Sequence, residues 1–199
     1  MINNFEQIKG LLEFDSNDDF YHLQILKRKK ENPELGSNSY CIKTYYVTST
    51  DYLDFKKQEI IDMCISNNAR ACINLNRRSF ERMAFHTLKK VTDQIMNKDY
   101  YSVRKAYESV CGSFMNEPNK KWILDFDTKD ESFLPVLKNQ LFHLRPEGPK
   151  FIDKIETKNG YHIITKPFDK QAFNYLFSGW HTIEKPAIQD NNPTILYIP

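Results

Sequence analysis

Apolar and polar positions along the chain switch repeatedly between two periods. Phe5, Ile8, Leu11 and Leu12 recur at helical spacing and predict an opening amphipathic helix. Phe20 to Leu26 alternates, with Tyr21, Leu23 and Ile25 on one side, which is the period of a strand. Lys27 to Asn38 is charged, carries Pro33 and Gly36, and reads as a loop. Tyr40 to Thr48 is β-branched and aromatic, a second strand. The helical period returns from Asp54 to Ser66 through Ile60, Ile61, Cys64 and Ile65. Arg70 to Asn76 then alternates Ala71, Ile73 and Leu75. Ser79 has the chemistry of an N-cap, and Phe80, Met83, Ala84, Leu88, Val91 and Ile95 predict the buried stripe of a long helix. A further helix through Val103, Ala106, Tyr107 and Val110 ends near Gly112. Alternating strands and helices predict crossover units packed on a sheet.

The second half carries denser signals. Lys121 to Asp127 is a short apolar strand running into acid, and Thr128 with Glu131 has capping-box spacing for a helix reaching Gln140. Phe151 to Thr165 contains Asn159-Gly160 between two strand-like runs, a strong hairpin signal. With Asn159-Gly160 as a two-residue turn, Thr157 falls opposite His162, and Ile164 and Lys166 share the histidine's face. Asp169 can cap a helix bearing Phe173, Leu176 and Phe177. Two short strands flank Asp190-Asn191-Asn192-Pro193 near the end. Phe80, Phe85, Tyr107, Phe142, Phe173 and Phe177 sit at helical spacing and read as core.

Composition bounds the possibilities. The chain of 199 residues is 40% hydrophobic and 27% charged, ordinary for one α/β-type domain. Its mean hydropathy of -0.63 and the lack of an 18-residue apolar run argue against a membrane span. The start, Met1-Ile-Asn-Asn-Phe-Glu, lacks the basic-then-apolar order of a secretory signal, so a cytoplasmic location is expected. Cys41, Cys64, Cys72 and Cys111 form no CxxC pair, and no zinc is expected. Net charge is only +2, but Lys27-Arg28-Lys29-Lys30, Arg77-Arg78, Lys89-Lys90 and Lys120-Lys121 are clumped. Such clumps permit a phosphate-backbone partner without requiring one.

Asp125-Phe126-Asp127 is the leading chemical candidate. Residues i and i+2 of a strand share a face, so both carboxylates can point together. They repel unless a cation or donor lies between them, and a hard divalent ion meets that need. Taken alone, the pair also fits a plain solvated strand end. His162, held by a tight hairpin with Lys158 and Lys166 nearby, can grip a phosphate or nucleotide; alone it also fits an exposed hairpin histidine.

The two motifs together resemble the archaeo-eukaryotic primase and primase-polymerase superfamily. Its first motif is an apolar strand ending in Asp-x-Asp, matched by Trp122-Ile123-Leu124-Asp125-Phe126-Asp127. Its second is a small-residue turn leading to histidine, matched by Asn159-Gly160-Tyr161-His162-Ile163. Its third is an acid before a strand with leucine and proline; Asp190, ahead of Thr194 to Pro199, fills that place, with Glu184 as the alternative. The resemblance implies a primase-like core with a sheet resembling an RNA-recognition motif, plus an N-terminal α/β unit. The chain would be one domain over 1–199, with the N-terminal unit at 1–115 and the motif-bearing half at 116–199. The resemblance further implies nucleotidyl transfer on nucleic acid from nucleoside triphosphates with magnesium or manganese. Asp125, Asp127 and Asp190 would be the catalytic and metal-binding acids. His162, Lys158 and Lys166 would contact the nucleotide, and a replication partner such as a helicase would fit.

Two other readings stay open. Asp125-Phe126-Asp127-Thr128 also fits the Asp-x-Asp-x-Thr of haloacid-dehalogenase-like phosphatases, with Asp125 as nucleophile and Asp127 as general acid. The non-enzyme reading is an inactive nucleic-acid-binding or structural module of the same fold, supported by the 14% aromatic content and the scattered basic pairs.

Overall fold

The structure, a computed structural model, describes residues 1–36, 39–113, 119–177 and 185–199. It is a mixed α+β chain with two antiparallel sheets and, among the described residues, seven α-helices. No described helix is long and apolar enough to cross a membrane.

The first sheet is built mostly from the N-terminal half. Its strands are β1 (Ile2–Asn3), β2 (Asp19–Lys27), β3 (Tyr40–Val47), β4 (Arg70–Ile73), β5 (Arg78–Ser79) and β10 (Thr194–Ile198). They lie in the order β1-β10-β4-β2-β3, with β5 paired to β2. The last strand therefore returns to the first sheet between β1 and β4, so this sheet draws strands from both sides of residue 115. Every pairing is antiparallel, whereas parallel crossovers would be the usual result of alternating strands and helices.

Helices α1 (Phe5–Lys9) and α2 (Thr50–Ser66) bring Phe5, Ile8, Leu53, Ile60 and Cys64 onto Tyr21, Leu23 and Ile25 of β2. The α2 helix starts four residues before the periodic run, because the Ser49 side chain accepts from the Tyr52 N–H at 2.9 Å. On β2, alternation places Phe20 on the opposite side, under Met83 of α3 (Phe80–Met96) and Val110 and Cys111 of α5 (Ala106–Ser113). The short α4 (Tyr100–Val103) links these two helices.

The cap of α3 is as expected: Ser79 accepts from the Arg82 N–H at 3.1 Å. Its apolar stripe is not buried as expected. Met83 is the buried residue of this helix, while Leu88 is 65% and Ile95 49% exposed. Phe85 and Phe142 are likewise exposed rather than core. Periodicity identifies the apolar face of a helix but not whether anything covers it.

The second sheet comes from the C-terminal half: β6 (Trp122–Phe126), α6 (Leu134–His143), β7 (Phe151–Glu156), β8 (Tyr161–Thr165), α7 (Lys170–Phe177) and β9 (Ala187–Gln189). This β-α-β-β-α-β connection is laid out in the order β7-β8-β6-β9. Leu124, Phe126 and Ile163 pack against Leu137 and Leu141 of α6 and Phe173 and Phe177 of α7. Residues of the opposite face, Ile123, Ile155 and Ile164, join the core of the first sheet. The two halves are thus welded through one apolar layer. Asn4 adds a polar tie, its Nδ2 donating to the Glu156 carbonyl at 3.0 Å and the Ile195 carbonyl at 2.9 Å.

Asp169 caps α7 as its position predicts, accepting from the N–H groups of Gln171 and Ala172. The capping box at Thr128 and Glu131 does not form. Thr128 Oγ1 instead accepts from the Asp130 N–H in a local turn, and α6 begins at Leu134 with Pro135 in its first turn.

Candidate functional site

The strand β6 lies between β8 and β9, so any side chain on its inner face has neighbours on both sides. The register sets Asp125 directly opposite His162 on β8 and Ala187 on β9. Cross-strand partners have Cβ atoms about 4.5–5.5 Å apart, close enough for carboxylate and imidazole to meet. They do: His162 Nε2 lies 3.4 Å from Asp125 Oδ1. The other ring nitrogen, Nδ1, is 2.9 Å from Thr194 Oγ1 at the start of β10. His162 is buried, so this orientation is held by an element of each sheet. The second oxygen of Asp125 accepts from Gln189 Nε2 at 3.0 Å. These contacts keep the Asp125 carboxyl below its ordinary range; the hydrogen bond from His162 is the largest cause, with smaller help from Gln189 and the Arg28 charge.

Asp127 follows the end of β6 and is exposed. Its position depends on the turn between β7 and β8. The Thr157 N–H donates to the Gly160 carbonyl at 2.9 Å, and the Gly160 N–H to Thr157 Oγ1 at 3.1 Å. Lys158 and Asn159 therefore form the apex, and Ile155, not Thr157, stands opposite His162. The turn sits one residue earlier than expected and the register is therefore two residues out, which preserves the face. A Cβ on Gly160 would lie 1.9 Å from the Phe126 carbonyl oxygen and 2.6 Å from the Thr128 nitrogen. Glycine is needed here for close approach of two backbones, not for an unusual φ. Lys129 Nζ, donating to the Thr157 carbonyl at 3.0 Å, adds a second link between the strand end and the turn.

The result is a cleft of about 620 Å³ between the two sheets. One wall holds Asp125, Asp127, His162, Lys158 and Gln189; the other holds Arg28, Lys30 and Arg70, with Glu31 beside them. Leu26, Cys72 and Ile195 supply an apolar surface between. Arg70 is ion-paired with Glu31, yet its buried Nε–H has no acceptor among the described residues. Arg28, Lys30 and Lys158 form no ion pair among the described residues. The Cys72 thiol is pushed up to about 12 by burial, which leaves it a protonated, poor metal ligand.

Of the residues singled out in the sequence, Asp125, Asp127, His162 and Lys158 line this cleft and two do not. Lys166 lies beyond the end of β8 and is exposed; at about 3.3 Å per residue it is about 13 Å along the strand from His162. Asp190 is taken by Lys170 of α7 at 2.9 Å, which also lowers its pKa. Gln189 occupies the Asp125 side of that strand end, and the next residue turns toward α7. Glu184, the alternative third acid, lies outside the described residues. Thr194, Gln189, Arg28 and Arg70 carry no motif of their own; only the clumped charge at 27–30 hinted at one of them.

The donor set beside β6 is chemically fit for a hard dication. It offers two carboxylates and an amide, the oxygen ligands that magnesium and manganese take, without soft thiolate competition. Compared with protein-family models, curated proteins and solved structures, the chain matches none.

Proposed function

We propose that the cleft is the active site of a primase-like nucleotidyltransferase that uses a divalent cation and nucleoside triphosphates on a nucleic-acid template. The observation that carries the reading is the arrangement of charge. Two carboxylates face Arg28 and Lys30 across one cleft, yet neither set neutralises the other through ion pairs among the described residues. An arrangement of this kind suits a ligand that is itself divided, a polyphosphate anion carrying a metal cation. The β-α-β-β-α-β order of the second sheet supports the reading, since it is the connectivity expected of a sheet resembling an RNA-recognition motif.

In this reading Asp125 and Asp127 hold magnesium or manganese, whose charge would stabilise the triphosphate and its leaving pyrophosphate. Arg28, Lys30 and Lys158 bind phosphate oxygens. His162 acts mainly as a positioning residue: both ring nitrogens are engaged, one by Asp125 and one by Thr194, so it fixes the carboxylate. Ile195, Leu26 and Cys72 give a sugar or base an apolar surface to pack on.

Incubation with a single-stranded template, manganese and labelled nucleotides tests the proposal. Template-dependent extension that is lost in Asp125→Asn is expected. Template binding without extension would favour the inactive binding module, and template-free hydrolysis of small phosphate esters would favour the phosphatase reading.

A further inference from the structure

Arg70 opens β4 opposite Leu26 of β2 and shares the face of Cys72, so it stands beside the apolar surface of the cleft. Its side chain is 10% exposed and meets Glu31 through a single hydrogen bond, from Nη2 to Oε1. The Nε–H is shielded from solvent and has no acceptor among the described residues. A guanidinium offers its nitrogens as a planar fork that carboxylates and phosphates fill two bonds at a time. Glu31 leaves that fork half filled, and a buried donor without an acceptor is costly.

The loop that carries Glu31 shows what can move. Asn32 Nδ2 donates to the carbonyls of Arg28 and Asn68, each at 3.0 Å. Asn68, held at φ 46°, donates from Nδ2 to Asn32 Oδ1 at 3.0 Å and to the Glu31 carbonyl at 3.2 Å. The Glu31 backbone is thereby pinned to the turn before β4. Its carboxylate is held, among the described residues, by the Arg70 bond alone. A rotation of that side chain releases the guanidinium without moving Arg28 or Lys30. We propose that Arg70 is a phosphate-binding cation of this cleft, and that Glu31 keeps its place on the guanidinium until the terminal phosphate of a polyphosphate displaces it. Arg28 and Lys30, on the same wall, draw the anion there. A terminal phosphate brings more negative charge than a carboxylate and enough oxygens to fill both nitrogens, so the exchange favours the ligand. The inference rests on the nucleotidyltransferase reading and adds an internal competitor that the reading does not contain.

Isothermal titration with tripolyphosphate in manganese chloride measures the competition. Glu31→Gln, which keeps the shape and loses the charge, is expected to bind about tenfold more tightly than the native chain, the scale of one charge-assisted hydrogen bond. In an Arg70→Gln background the same Glu31 change is expected to give a clearly smaller gain. Simple loss of a repelling charge would do the reverse, because Glu31 without its partner repels an anion more strongly. Every other charged group of the cleft is common to the four proteins, so the comparison does not depend on their sum. Circular dichroism establishes folding, and Arg70→Lys, whose ammonium lacks the fork, replaces an Arg70→Gln that does not fold. A Glu31→Gln chain that binds no tighter, or a gain as large without Arg70, would overturn the inference and leave the phosphate site standing. The same coupling seen with a single-stranded oligonucleotide and not with tripolyphosphate would overturn it too. No binding of tripolyphosphate by the native chain would remove both the inference and the reading beneath it.

Discussion

Gly160 and Phe126 approach so closely that a single added methyl group would sit 1.9 Å from the Phe126 carbonyl oxygen. The contact joins the foot of the β7–β8 turn, just after its apex, to the strand end that presents Asp127. Neither partner is the free end of a flexible side chain, so the backbone itself would have to move. Gly160→Ala is expected to cost about 2–3 kcal/mol in urea unfolding, the scale of overpacking in a tight interior. Retention of full stability would show that the turn can lift away without consequence.

Buried His22 gives a pH dependence that is separate from the cleft. Burial is the largest cause holding its pKa down to about 4, with the Arg78 charge adding to it. Above pH 6.5 the imidazole is neutral in folded and unfolded chains alike. As pH falls from 6.5 to about 4, the unfolded chain takes up a proton that the folded chain refuses, so stability decreases. The loss amounts to about 3 kcal/mol across that window. Unfolding free energy measured from pH 7 to 4 should show this decline in the native chain and a shallower one in His22→Phe.

The helix α3 separates apolar pattern from apolar burial. Phe85→Ser and Leu88→Gln should each change stability by no more than about 0.5 kcal/mol, since both side chains are exposed. Met83→Ala, on the same helix but fully buried, should cost about 2–5 kcal/mol. Equal losses in all three would mean that the stripe is covered after all.

What the sequence disclosed follows from how local each signal is. The Ser79 and Asp169 caps, the acid-terminated β6 and the hairpin before His162 are each set within a few residues, and all are present. The Thr128–Glu131 spacing misled because a local turn at Thr128 and Pro135 compete with the cap. Other features depend on distant partners. The return of β10 to the first sheet brings Thr194 to His162 across 32 residues, and Gln189 reaches Asp125 across 64. Arg28 and Asp125 line one cleft only because a shared apolar layer joins the two sheets. Neither period nor spacing along the chain encodes such meetings. For the same reason Asp190, plausible by order of motifs, is drawn to Lys170 instead.

For the cleft to work as proposed, the Asp125–Asp127 end of β6 must grip a dication that carries a triphosphate. Thermal unfolding with and without manganese plus a nucleoside triphosphate measures this in the intact chain. The melting temperature of the native protein is predicted to rise when both are added, and that of Asp127→Ala to stay where it was. An equal rise in the two proteins would contradict the assignment of the ion to this pair.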